Sequence, residues 1–71
     1  MTNPIAAALL AIDALRADDL ETGSGIISDL IGMPDTSFSV PLTEEQVEAL
    51  SETSDRDDLI GLLVAIALAE T

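Results

Sequence analysis

The chain begins and ends with long apolar stretches, and most of its polar residues lie between them. The first stretch follows Asn3 and Pro4, a pair typical of a helix N-terminus, and continues in strong helix formers. The last is apolar on every face from Leu59 to Ala69, which is typical of a helix buried all round. Its 11 residues are too few to cross a bilayer, which takes about 20. We predict these helices at about 4–18 and 55–70.

Two shorter amphipathic helices are predicted between them. Ile27, Leu30 and Ile31 have the i, i+3, i+4 spacing of one helix face, and Gly32 is a typical residue after a helix end. The glycines of segment 23–25 are expected to interrupt any helix that reaches them, so this helix is predicted to begin only there, at 25–32. A strand is the alternative for so short an apolar stretch.

The third helix has the strongest local signal. Thr43 and Gln46 have the spacing of a capping box, in which each side chain bonds the backbone N–H of the other residue. This helix is predicted at 43–52, after an extended loop at 33–42. Ser54 and Asp57 repeat the spacing and are expected to cap the last helix. The sequence therefore predicts an all-α fold, a small bundle of about four helices in one domain, 1–71.

Hydrophobicity and size together favour association with another chain. Apolar residues make up 48% of only 71 residues, and no cysteine or histidine is present to supply a disulfide or a common metal ligand. Two amphipathic helices with one narrow apolar stripe each cannot cover two helices that are apolar on nearly every face. We expect a two-fold dimer that completes the bundle; a permanent partner of another kind and a monomer are the alternatives. The predicted seam consists of Ile5, Leu9, Ile12, Leu59, Leu62, Leu63 and Ile66.

The charge balance indicates which partners the chain attracts. The chain has fourteen acidic residues and only two basic ones, Arg16 and Arg56, which gives a net charge of −12. Such a chain repels nucleic-acid phosphates and anionic membranes and attracts basic protein surfaces. The candidate partner-binding face is acidic and lies on the third helix, with Glu44, Glu45, Glu48 and Glu52. Three alternatives remain open: a merely solvated face, mimicry of DNA that inhibits a nucleic-acid-binding protein, and adaptation to a saline environment.

Catalytic and metal-binding chemistry is poorly supported. The chain has no His, Cys, Lys or Tyr, so only a buried carboxylate could titrate near neutrality. Asp13 and Asp29 are the candidates, and both are expected to face solvent. Two acidic clusters, at 18–21 and 55–58, lack the spacing of a calcium loop. We predict no enzyme activity, no cofactor and no metal.

In length, acidity and number of helices the chain resembles an acyl carrier protein. The attachment serine of that family lies in an Asp-Ser-Leu motif at the start of its second helix. Here Ser28 stands in Ser-Asp-Leu, the reverse order, and Ser37 lies in an Asp-Thr-Ser-Phe segment soon followed by Pro41. The resemblance is one of bulk properties, and no functional residue is carried over from it.

No secretion signal is visible, because the apolar N-terminus lacks a basic region. These observations predict a cytoplasmic, non-enzymatic interaction module that binds a protein. Small adaptors, inhibitors and accessory proteins, including those of phages and mobile elements, have this profile.

Overall fold

The computed structural model describes residues 3–70, which form four α-helices and one 3₁₀ turn. The helices are α1 (Pro4–Arg16), α2 (Leu20–Gly32), α3 (Glu44–Glu52) and α4 (Arg56–Glu70), and the turn spans Asp35–Ser37. The described residues contain no strand, which confirms the all-α prediction. The Cα radius of gyration, 10.8 Å, is close to the about 11 Å of a compact chain of this length. None of the described helices is long and apolar enough to cross a membrane.

α1 starts as predicted and ends two residues early. The Asn3 side chain accepts the Ala6 N–H at 2.7 Å, and Pro4 occupies the first helical position. After Arg16 the chain reverses through Asp18, whose φ of 61° lies in the left-handed region. Asp18 N–H donates to the Leu15 carbonyl and the next N–H to the Ala14 carbonyl, the bond pattern of a Schellman motif. Aspartate tolerates this conformation better than most residues, so a glycine is not needed here.

α2 begins at Leu20, five residues before the predicted start, so the prediction of a break at 23–25 is wrong. Asp19 provides the helix start, since its side chain accepts the Thr22 N–H at 3.2 Å. Gly23 is buried against α1, where an added Cβ would lie 2.8 Å from Leu15 Cδ2. The glycine therefore permits close helix packing, and the helix continues through it.

The start of α4 also corrects a prediction. Asp55, not Ser54, caps this helix: its side chain accepts the Asp57 N–H at 2.9 Å and the Asp58 N–H at 3.4 Å. Asp55 also accepts the Leu59 N–H on its own carbonyl, the first backbone bond of the helix. An aspartate at the N-cap adds a negative charge at the positive end of the helix dipole.

α1 is the central helix and packs against both α2 and α4. Its buried face carries the small residues Ala7, Ala8 and Ala11, which let the neighbouring helices approach closely. Among the described residues, every core side chain is apolar. The core residues are Ala7, Ala8, Ala11, Ile12, Leu15, Ile27, Leu30, Phe38, Leu50, Leu59, Leu63 and Ile66.

Two polar contacts fix the ends of α4. Arg56 at its start pairs with Asp18 beyond the end of α1, so α1 and α4 run antiparallel. At its other end, the Glu70 carboxylate accepts the backbone N–H groups of Ser39 (2.9 Å) and Val40 (3.1 Å). These bonds hold the connector between α2 and α3 against the end of α4, beside buried Phe38.

Alanine substitutions at two glycines of α2 should have opposite effects. At Gly25 an added Cβ meets no described heavy atom within 4 Å, so Gly25→Ala should stabilise the protein by about 1 kcal/mol through helix propensity. Gly23→Ala should destabilise it by about 1–3 kcal/mol, because Leu15 is fully buried and cannot move aside. Urea unfolding of both variants measures the difference. Equal stabilisation by the two would contradict the close packing of α2 on α1.

The Asp19 cap should make stability depend on pH. Hydrogen bonds from the Thr22 side chain and backbone hold the pKa of Asp19 below its ordinary value of 3.8. The carboxylate therefore stabilises the fold above that value, and its contribution is lost as the pH falls through the folded-state pKa. Asp19→Asn keeps a capping oxygen without the charge. The stability difference between wild type and Asp19→Asn, from urea unfolding, should be larger at about pH 7 than at about pH 3; a constant difference would contradict the assignment.

Candidate partner-binding surface

The start of α3 is fixed by the predicted capping box. Gln46 N–H donates to Thr43 Oγ1 at 3.1 Å, and Thr43 N–H donates to Gln46 Oε1 at 2.9 Å. Both bonds of the motif are therefore present, which confirms the prediction. Glu44 and Glu45 follow in the first turn, where the helix dipole stabilises negative charge.

The four predicted glutamates lie together on the outward side of α3. Leu50 is the one buried residue of this helix and attaches it to the core. All four glutamates are exposed. Successive members of the i, i+4 series are about 6 Å apart along the helix axis. The name acidic row is used below for Glu44, Glu45, Glu48 and Glu52.

The acidic row has no basic residue on its own helix. α3 contains no Lys or Arg, so its glutamates lack the i, i+4 partners that stabilise many exposed helices. Within residues 3–70, the two ion pairs of Arg56 go to Asp18 and Asp57, on other parts of the molecule. Like charges at this spacing repel each other by a few tenths of a kcal/mol per pair. A basic partner would relieve that repulsion.

A cleft of about 200 Å³, lined by both aliphatic and hydroxyl side chains, lies between α2, α3 and the start of α4. Aliphatic side chains form its floor and hydroxyl groups its rim. The floor residues are Ile27, Ile31, Leu50 and Leu59, and the rim residues are Ser24, Ser28, Ser51 and Thr53. A cavity of about 150 Å³ can hold a benzene molecule, so this cleft has room for one large apolar side chain. Ser51 follows Glu48 at the i, i+3 spacing of neighbours on a helix surface, so the rim of the cleft adjoins the acidic row.

Sequence reasoning missed the cleft. Ser28 lies within the predicted helix 25–32, but Ser24 falls in the segment that was expected to interrupt it, so the alignment of Ser24 with Ser28 becomes evident only when α2 begins at Leu20. The spacing of hydroxyls at i, i+4 beside apolar residues at the same interval is the signal that could have indicated it.

The other carboxylates considered as candidate sites are exposed to solvent or belong to helix caps and turns. Asp13 and Asp29 face solvent, as predicted. The cluster at 18–21 contains the turn residue Asp18 and the cap Asp19, and the cluster at 55–58 contains the cap Asp55. In the part of the chain that the structure describes, no group of three or more acidic side chains is arranged to hold a metal ion.

The structure places the predicted seam residues in three different environments. Ile12, Leu59, Leu63 and Ile66 are core residues of the single chain. Ile5 and Leu62 are half-buried, and Leu9 is exposed. The four core residues already pack against other helices of their own chain, so they are not available to a second one. The large apolar residues that stay exposed in the described part of the chain lie on α1, α2, the connector between α2 and α3, and α4.

The two serines considered for acyl attachment lie in different settings. Ser28 is in the middle of α2 on the rim of the cleft, and Ser37 ends the 3₁₀ turn. Neither lies at the start of an α-helix.

Comparison of the chain with protein-family models, curated proteins and solved structures finds no significant match.

Loss of the capping box should destabilise the helix that carries the acidic row. Thr43→Ala removes the side-chain acceptor of the Gln46 N–H and should lower the free energy of unfolding by about 1 kcal/mol. Thr36→Ala, at an exposed threonine of the 3₁₀ turn, is the control and should change stability by less than about 0.5 kcal/mol. If urea unfolding shows that Thr43→Ala loses no more stability than Thr36→Ala, the capping box contributes nothing measurable.

Proposed function

We propose that the protein is a non-enzymatic protein-binding module that self-associates and binds a basic segment of a partner. The acidic row and the neighbouring cleft form the binding surface for that segment. The exposure of all four glutamates on one side of α3, without a basic residue on that helix, is the observation that carries the proposal.

Charge and shape would have separate roles in such a contact. Lys or Arg side chains of the partner pair with the acidic row, accelerate the encounter and orient the segment. One apolar side chain enters the cleft between α2 and α3 and is removed from water there. A basic amphipathic helix has both features, with apolar and basic positions one turn apart. An adaptor, inhibitor or accessory protein would act by this kind of occupation of a basic surface.

Binding of a defined basic peptide tests the proposal. The probe is a labelled helical peptide rich in Arg and Lys with one central Leu, and its binding is measured by fluorescence anisotropy at low and high salt. Replacing Glu44, Glu48 and Glu52 by Gln should weaken binding about tenfold or more. The high-salt measurement should remove most of the difference, since salt screens exposed charges.

A charge-matched control separates the acidic row from net charge. Replacing the exposed Asp13, Asp29 and Asp35 by Asn removes the same number of charges elsewhere on the surface. This variant should retain most of the affinity. Equal weakening of both variants would show general attraction to an acidic protein and would overturn the assignment to α3. A peptide with Ala in place of its Leu should bind less well at every salt concentration if the cleft is used.

A further inference from the structure

Residues 33–52, the connector and α3, are attached to the rest of the molecule by few buried side chains. Ten of the twelve core residues belong to α1, α2 and α4, and the other two are Phe38 and Leu50. The large side chains that are fully buried, Leu15, Leu30 and Leu63, also lie on α1, α2 and α4. α1 packs extensively against both of its neighbours, whereas α3 has limited contact with α4. The centre of the core therefore does not depend on α3.

The Glu70 carboxylate holds the connector from the last turn of α4. Its Oε2 accepts the Ser39 N–H at 2.9 Å and the Val40 N–H at 3.1 Å, and its Oε1 accepts the Ser39 N–H at 3.0 Å. These bonds join residues 30 and 31 positions apart in the chain. A charged acceptor makes such bonds stronger than neutral ones. Buried Phe38 directly precedes Ser39, so an apolar and a charged contact anchor the connector at the same point.

The hydrogen bonds that form α3 are local. Its capping box joins Thr43 and Gln46, and the Val47 N–H donates to the Thr43 carbonyl. Such bonds join residues three or four positions apart and need no other helix. A helix of nine residues is shorter than the about 12–15 residues that an isolated helix needs in water. Once detached from the core, α3 would therefore unwind and expose its backbone N–H groups to water.

Leu42 and Val47 couple the connector to α3. They occupy the position before the N-cap and the fourth position of the helix, which is the spacing of a hydrophobic staple. Both are half-buried, and Leu42 also packs against the core. A staple fixes the direction in which the chain enters a helix. Movement of the connector is therefore transmitted to the first turn of α3.

We propose that residues 33–52 form a lid, named so below, that opens as one unit while α1, α2 and α4 remain folded, and that Glu70 is the positioning residue that holds the lid closed. In the closed state, Leu50 and Ser51 line the cleft beside the acidic row. Opening removes that wall and separates the carboxylates from the apolar floor on α2 and α4. The inference rests on the proposed function, because it makes the closed lid the state that binds a basic segment. The fraction of closed molecules then sets the apparent affinity.

Amide hydrogen exchange of the full-length protein, measured by NMR under native conditions, tests the opening without a ligand. The Leu50 amide should be protected at least about tenfold less than the amides of Leu15 and Leu63, because lid opening requires less free energy than global unfolding. Low urea concentrations should speed exchange at Leu15 more steeply than at Leu50, since lid opening exposes less surface. Equal protection with equal urea dependence would show that α3 exchanges only by global unfolding, and would overturn the lid.

Substitution of Glu70 tests the latch. Glu70→Ala should lower the protection of Leu50 about tenfold, because the N–H groups of the connector lose a charged acceptor. Glu70→Gln keeps one acceptor oxygen and should give an intermediate value. Glu21→Ala is the matched control: it removes the same charge from an exposed glutamate of α2 and should leave the protection of Leu50 unchanged. Unchanged protection in Glu70→Ala would overturn the role of Glu70.

Gly25→Ala tests whether α2 stays folded when the lid opens. This substitution should stabilise α2 in both the closed and the open state, so it changes only the free energy of global unfolding. The protection of Leu15 should rise about fivefold while that of Leu50 stays the same. An equal rise at both amides would show that α2 and α3 unfold together, and would overturn the lid as a separate unit.

The basic peptide used to test the proposed function connects the lid to binding. If the peptide binds only the closed state, it should raise the protection of Leu50 by the factor of one plus the ratio of its free concentration to its Kd. A peptide that binds without changing the protection of Leu50 would overturn the closed lid as the binding state. Absence of peptide binding, with lid opening observed, would overturn the proposed function and leave the lid itself established.

Discussion

The close approach of α1 to its two neighbours is the constraint on which the other features of the fold depend. Three of the six buried residues of α1 are alanines, and Gly23 brings α2 close to it. The large fully buried side chains, Leu15, Leu30 and Leu63, come from α1, α2 and α4 and fill the space that remains. Because small residues let three helices pack closely, a chain of 71 residues forms a core with no buried polar side chain in the described part. α3 contributes only Leu50 to that core and presents its other sides to solvent.

The negative charge is divided between structural and exposed positions. Asp19 and Asp55 each cap a helix, Asp18 pairs with Arg56, and Glu70 bonds the connector. These carboxylates accept N–H groups from the backbone or a guanidinium, so their charge stabilises the fold that holds them. The glutamates of the acidic row have no such neighbours on their helix. Carboxylates that accept hydrogen bonds therefore stabilise the fold, whereas the neighbouring glutamates of the acidic row repel one another, and the acidic row is where a basic partner would gain most.

α4 has one side in the core and the other at the surface. Its inner side, with Leu63 and Ile66, is buried, whereas Val64 and Leu68 on its outer side are exposed although equally apolar. α1, by contrast, packs against a helix on each of two sides, α2 and α4. The acidic row lies on a different helix, so a contact at α3 leaves the outer side of α4 unchanged.

Local signals in the sequence determined the helices at 4–16 and 56–70 closely, and the capping box of α3 fully. Those features depend on residues a few positions apart, such as Asn3 and Ala6 or Thr43 and Gln46, whose hydrogen bonds need no distant partner. The exposed side of α3 follows from the same short-range periodicity. Only the tertiary structure decided that Gly23 continues α2, because that depends on its contact with Leu15 across the helix pair. It also decided which side of α4 is core. A helix that is apolar all round has no sequence period to distinguish its sides, so Leu63 and Leu68 differ in exposure only through what α1 covers.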